Sequence, residues 1–156
     1  MIIRKAKIKD FLKISKLDRE AWGENAHADF VPDGEHVWRL WVEYAIVYCA
    51  EEKKNIIGVI LAFPTKNISE YFLHKIFIDY QFRQQEIGKK LFHQLCNELD
   101  KKKFNCSLTT APNNEAMKKL CKTFNFNEIN FIKSYYRKEE DRLFYTRKFI
   151  TKQSNE

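Results

Sequence analysis

With 156 residues, the chain has room for one domain with a sizeable core and too little for two. Hydrophobic residues make up 44% of it and aromatics 15%, which excludes an intrinsically disordered chain. The 28 basic and 21 acidic residues leave a formal charge of +7, which favours anionic partners such as phosphate-bearing cofactors, but the two signs are mixed along the whole chain and no RNA-binding signature stands out.

In chain order, Ile2 to Ile8 reads as a short strand, and Asp10 stands where a helix N-cap accepts backbone N–H groups. Phe11, Ile14, Leu17 and Ala21 recur at spacings of three and four, which predicts a helix with Lys13, Lys16 and Arg19 outside. Asp33-Gly34 punctuates before a second helix through Val37, Trp38, Leu40 and Trp41. Ala45–Glu51 and Ile56–Phe63 predict a hairpin joined at Glu52-Lys53-Lys54-Asn55, and Pro64 ends its second strand. Tyr71–Ile78 is a third strand, followed by the loop Arg83-Gln84-Gln85-Glu86-Ile87-Gly88 and a long helix carrying Ile87, Leu91, Leu95 and Leu99. Cys106–Thr110 is the next strand. Pro112-Asn113-Asn114 caps a helix with Met117, Leu120, Cys121 and Phe124, and two strands close the chain over about residues 127–134 and 142–149.

The order is β-α-α-β-β-β-α-β-α-β-β. It predicts an α/β fold with helices flanking a mixed, mostly antiparallel central sheet, in which only the crossover from the Tyr71 strand to the Cys106 strand makes a parallel pair. Residues 1–150 are expected to form one domain and 151–156 a polar, flexible tail. Cys49, Cys96, Cys106 and Cys121 show no C-x-x-C pairing, Met1 to Lys5 has no apolar signal core, and no apolar run approaches the ~18 residues of a membrane span. The expected setting is a reducing cytoplasm.

The loop before the long helix carries the chemistry. A helix start exposes backbone N–H groups where the helix dipole is positive, so it suits a diphosphate, with Arg83, Lys89 and Lys90 adding charge and Glu86 subtracting it. Gly-x-Gly-x-x-Gly and P-loop patterns are absent, because the only glycines are Gly23, Gly34, Gly58 and Gly88. No histidine spacing suggests a metal.

Arg83, Ile87, Gly88 and Leu91, followed by Asn114, Leu120 and Phe126 in a second stretch, together with the element order, resemble the GNAT family of N-acetyltransferases. The first stretch is similar to that family's Arg/Gln-x-x-Gly-x-Gly signature, with Gln84 and Glu86 where glycine is usual. The second is similar to Asn-x-x-Ala-x-x-Leu-Tyr-x-x-x-Gly-Phe, with Cys121 in place of Tyr. The resemblance implies transfer of an acetyl group from acetyl-CoA to an amine of a small molecule, protein or peptide, by direct attack in a ternary complex. It assigns Ile76, Phe77, Ile78, Arg83, Gln84, Gln85, Glu86, Ile87, Gly88, Lys89 and Asn114 to the cofactor.

For the proton donor to the leaving thiolate, the resemblance points to Cys121, which is equally readable as a small packed residue, or to a phenol at Tyr135 or Tyr136. His74 stands about where many relatives carry a basic carboxylate, and can serve as base or as an ordinary strand residue. The acceptor wall implied by the family brings in Trp22, Glu24, Asp29, Glu35, Trp38 and Glu43, an acidic set suited to a cationic amine. Less basic amines are favoured on the other side, because at pH 7.4 an α-amine is roughly a quarter neutral and a lysine about one part in a thousand. Monomer and homodimer both fit. The alternatives are a non-catalytic CoA-binding module of the same fold and, ranked last, a basic nucleic-acid-binding domain.

Overall fold

A computed structural model describes residues 1–24 and 29–151. Its elements follow the expected order: β1 (Ile2–Lys5), α1 (Phe11–Trp22), α2 (Glu35–Tyr44), β2 (Ile46–Glu52), β3 (Asn55–Pro64), β4 (Glu70–Ile78), α3 (Ile87–Lys102), β5 (Asn105–Thr110), α4 (Glu115–Thr123), β6 (Glu128–Ile132) and β7 (Arg142–Arg147). The strands are ordered β1-β2-β3-β4-β5-β7-β6. The β4–β5 ladder is parallel, and the β1–β2, β2–β3, β5–β7 and β6–β7 ladders are antiparallel. Of the expected tail, residues 152–156 lie outside the described residues.

The chain divides into two compact units, residues 1–63 with 75–95, and 64–74 with 96–156. In the first, Ile14 and Leu17 of α1 and Trp38 and Val42 of α2 are buried against Val47, Cys49, Val59, Leu61 and Phe77 of the strands. The periodicity of α1 and the alternation along β2 and β3 put these side chains on facing surfaces. Strand β3 presents Gly58 on its other side. A Cβ there would stand 2.9 Å from Ile78 Cδ1, 3.2 Å from Ile87 Cγ2 and 3.3 Å from Leu91 Cδ1, so the missing side chain lets the start of α3 settle directly on the sheet.

Asp10 departs from its expected role. A 3₁₀ turn over Ile8–Asp10 precedes α1, so Asp10 is already right-handed and makes no side-chain cap. Its carboxylate instead accepts the Lys7 N–H at 2.8 Å and the Arg4 guanidinium at 2.7 Å. The turn also ends the first strand at Lys5, three residues earlier than the apolar pattern suggests.

In the second unit β5 is central, paired to β4 over Glu70–Phe72 and to β7 along its length. Arg147, 3% exposed at its side chain, reaches both carboxylate oxygens of Asp100 at 2.7 and 2.8 Å and donates Nε–H to the Phe124 carbonyl at 2.9 Å. That fork ties β7 to α3 and to the end of α4. Helix α4 closes on Asn125 at φ 63, with Phe126 N–H on the Cys121 carbonyl and Asn125 N–H on that of Lys122. This is a Schellman cap, in which Asn stands in for the usual glycine. All four cysteines are buried and free.

Candidate active site

Beyond Phe72 the β4–β5 ladder stops while β4 runs on to Ile78. Within the first unit the segment Lys75–Ile78 is therefore an edge, with β3 as its neighbour on one side. The Asp79 N–H bonds the Ile57 carbonyl at 2.9 Å, which holds the end of β4 against β3. Strand edges carry N–H and C=O groups that an extended amide-bearing ligand can pair.

From that edge the chain makes a 3₁₀ turn at Tyr80–Phe82 and enters the loop. Gln84 and Glu86 are both left-handed, at φ 65 and 56, on either side of Gln85. Reversals of this kind turn successive backbone N–H groups to one side, and the first turn of α3 adds its own. For residues other than Gly, Asn and Asp each such position costs ~1–2 kcal/mol. Ile87 is buried and anchors the helix start, while Arg83, Gln84, Gln85, Glu86 and Lys89 are exposed. Glu86 lies 3.8 Å from Lys89, and Arg83 makes an ion pair with Glu24 just past the end of α1.

On the α1–α2 side of β4, Phe77 packs edge-on to Trp38 at 5.8 Å. Lys75, two residues earlier and on the same face, places its Nζ 2.6 Å from Asp18 Oδ2 and 2.7 Å from Asp33 Oδ2, over the rings of Trp22 and Trp38 at 5.5 and 5.9 Å. Asp18 Oδ2 also accepts Trp38 Nε1–H at 2.8 Å. Sequence reasoning missed Asp18 and Asp33. Asp18 sits four residues after Ile14, so it lies beside the buried stripe, and a charge there calls for a partner.

The acids expected at the acceptor wall are largely engaged: Glu24 with Arg83, Glu35 with Arg19 at 3.9 Å, and Glu43 with Arg39 at 2.5 Å. Trp38 is fully buried, and Trp22 donates to the Phe30 carbonyl at 2.9 Å. Asp29 is exposed.

Within the second unit, Asn114 Oδ1 caps α4 by accepting the Met117 N–H at 3.1 Å. Cys121 is fully buried, and burial pushes its thiol up to about 12. Tyr136 is half-exposed. Its hydroxyl lies 3.4 Å from Thr109 Oγ1, and the Arg142 guanidinium stands 5.0 Å from its ring centre. His74 is half-buried on β4, one residue from Lys75 and so on the opposite face of the strand.

A family model described as the acetyltransferase (GNAT) family matches residues 11–126. Among solved structures, the ribosomal-protein-S18-alanine N-acetyltransferase of Escherichia coli is 19% identical, covers 99% of this chain and 97% of its own, and superposes with a TM-score of 0.80. The ribosomal-protein-alanine N-acetyltransferase of Brucella melitensis is 19% identical over 96% and 100% of the two chains, with a TM-score of 0.83. The yncA protein of Salmonella typhimurium, solved with its cofactor acetyl-CoA, is 16% identical over 100% and 98%, with a TM-score of 0.82. A search of curated proteins found no match.

Proposed function

Because the chain belongs to the acetyltransferase (GNAT) family, it is an acetyl-CoA-dependent N-acetyltransferase, and we propose that its acceptor is a weakly basic primary amine, such as the α-amine of a protein or peptide. The single observation that carries the cofactor half is the open edge of β4 running into two left-handed residues and a helix start.

Those groups fit the cofactor's chemistry. Backbone groups of Ile76, Phe77 and Ile78 pair the pantetheine amides and donate to the carbonyl oxygen as negative charge develops on it. The turned N–H groups from Gln84 to Lys89 receive the diphosphate, and Arg83 leaves Glu24 to join them. Asn114 uses its amide nitrogen on the cofactor while its oxygen caps α4. Acetyl-CoA, when bound, supplies the thioester carbonyl that the amine attacks. His74 takes the amine's proton, directly or through water.

The acceptor reading rests on charge. Glu35 and Glu43 already pair with Arg19 and Arg39, so the wall offers a polycation less than the number of its acids suggests. An amine that is partly neutral in solution needs less help from a base. No helix among the described residues is long and apolar enough to cross a membrane.

Isothermal titration with acetyl-CoA, and with pantetheine lacking the 3′,5′-ADP portion, tests the cofactor half. Micromolar binding that depends on the diphosphate is expected, and its absence would remove the loop from the site. Turnover on peptides with free and with blocked N-termini tests the acceptor. Equal rates on both would exclude the α-amine.

A further inference from the structure

Two carboxylates and two indole rings of the first unit surround one ammonium. Asp18 and Trp22 come from α1, Asp33 from the α1–α2 connection and Trp38 from α2, so these walls are built by residues 18–38, while the ammonium arrives from β4 on Lys75.

The walls are fixed without Lys75. Trp38 Nε1–H donates to Asp18 Oδ2 at 2.8 Å and Trp22 Nε1–H to the Phe30 carbonyl at 2.9 Å, which sets both rings. Carboxylates attract an alkylammonium by charge, and indole faces by the negative side of the ring. Two carboxylates against one ammonium leave one negative charge over. The side chains of Asp18 and Lys75 are closed off, at 4% and 11% exposed, whereas Asp33, at 33%, opens the group to solvent. The thioester is proposed above to lie along Ile76–Ile78, which begins one residue after Lys75. An acceptor that reaches this edge from the α1–α2 side passes the group.

We propose that Asp18, Asp33, Trp22 and Trp38 form an alkylammonium site beside the acceptor path, and that Lys75, by filling it, is a specificity residue that turns away acceptors carrying a second ammonium next to the reacting amine. The inference rests on the acetyltransferase and amine reading above and deepens it. An empty cage of this charge would draw such an acceptor in, and the filled one meets it with a like charge.

The test has two readouts. In the first, Lys75→Ala is melted with n-propylammonium chloride, which restores the missing atoms, against n-propanol and against sodium chloride at equal ionic strength. The amine alone is expected to raise the midpoint of the variant, and to leave wild type unmoved. An equal effect on both proteins, or none on either, would overturn the site. In the second, kcat/KM is compared for two peptides with free N-termini that differ only in norleucine or lysine at the first position, one stem without and with an ammonium. Wild type is expected to prefer norleucine, and Lys75→Ala to shift the ratio toward lysine by about tenfold, the scale of a partly desolvated cation–π contact. Lys75→Met keeps the stem and drops only the charge, and is read the same way should the alanine variant fail to fold. A ratio unchanged in both variants would overturn Lys75 as the specificity residue. Failure of wild type to acetylate either peptide would instead bring down the acceptor reading, while the melting comparison still decides the cage.

Discussion

Glu86 does two unfavourable things at once: it holds φ 56 without the freedom of glycine, and it brings a carboxylate to the loop proposed here to meet a diphosphate. The two costs separate by substitution. At ~6 Å in water one charge pair is worth about 0.7 kcal/mol, so Glu86→Gln is expected to tighten acetyl-CoA binding about threefold by titration, without changing stability. Glu86→Gly removes the strain as well. The gain of ~1–2 kcal/mol at a left-handed position is partly offset by about 0.4–1 kcal/mol of unfolded-chain entropy, leaving a modest rise in thermal midpoint. Unchanged affinity in Glu86→Gln would mean that Glu86 faces away from the phosphates. At this scale the sequence was informative because two positions where the resembled patterns carry glycine, Glu86 and Asn125, are left-handed here. Backbone conformation, not residue identity, is what those positions retain.

Between elements, the clearest test is the Asp18–Lys75–Asp33 group, which joins α1, the α1–α2 connection and β4. The Asp18 side chain is 4% exposed and serves both Lys75 and Trp38, so Asp18→Asn leaves a buried ammonium with Asp33 alone. A loss of about 2–4 kcal/mol in denaturant unfolding is expected. Asp33 is a third exposed, and Asp33→Asn is expected to cost about 1 kcal/mol or less. Equal effects would show that the group works as a surface pair. No periodicity argument could have assembled it, since residues 18, 33 and 75 belong to separate segments and meet only when the sheet forms. Element identities were legible for the opposite reason. The three-and-four spacing of α1 and the short apolar runs of β2 to β5 are local, and the Lys53-Lys54 turn at φ 48 and 67 joins the hairpin where the polar run predicts it.

Across the molecule, the parallel β4–β5 pair followed from chain order, because a helix-bearing crossover between neighbouring strands has one favoured hand. The place of β7 between β5 and β6 did not, since both closing strands look alike in one dimension and only their ladders tell them apart. The burial of all four cysteines also emerges only from the finished sheet and helices. Desolvation pushes the thiols of Cys49 and Cys96 up to about 11 and that of Cys121 to about 12, and Cys106 is raised as well. Thiolate is the reactive form, so a disulfide dye added to the native protein is expected to label no cysteine quickly, and all four only after denaturation. Fast labelling of one equivalent would contradict that packing. Where it holds, the enzyme contributes no background of its own to a colorimetric readout of released CoA, and its turnover can be followed continuously without replacing a single residue.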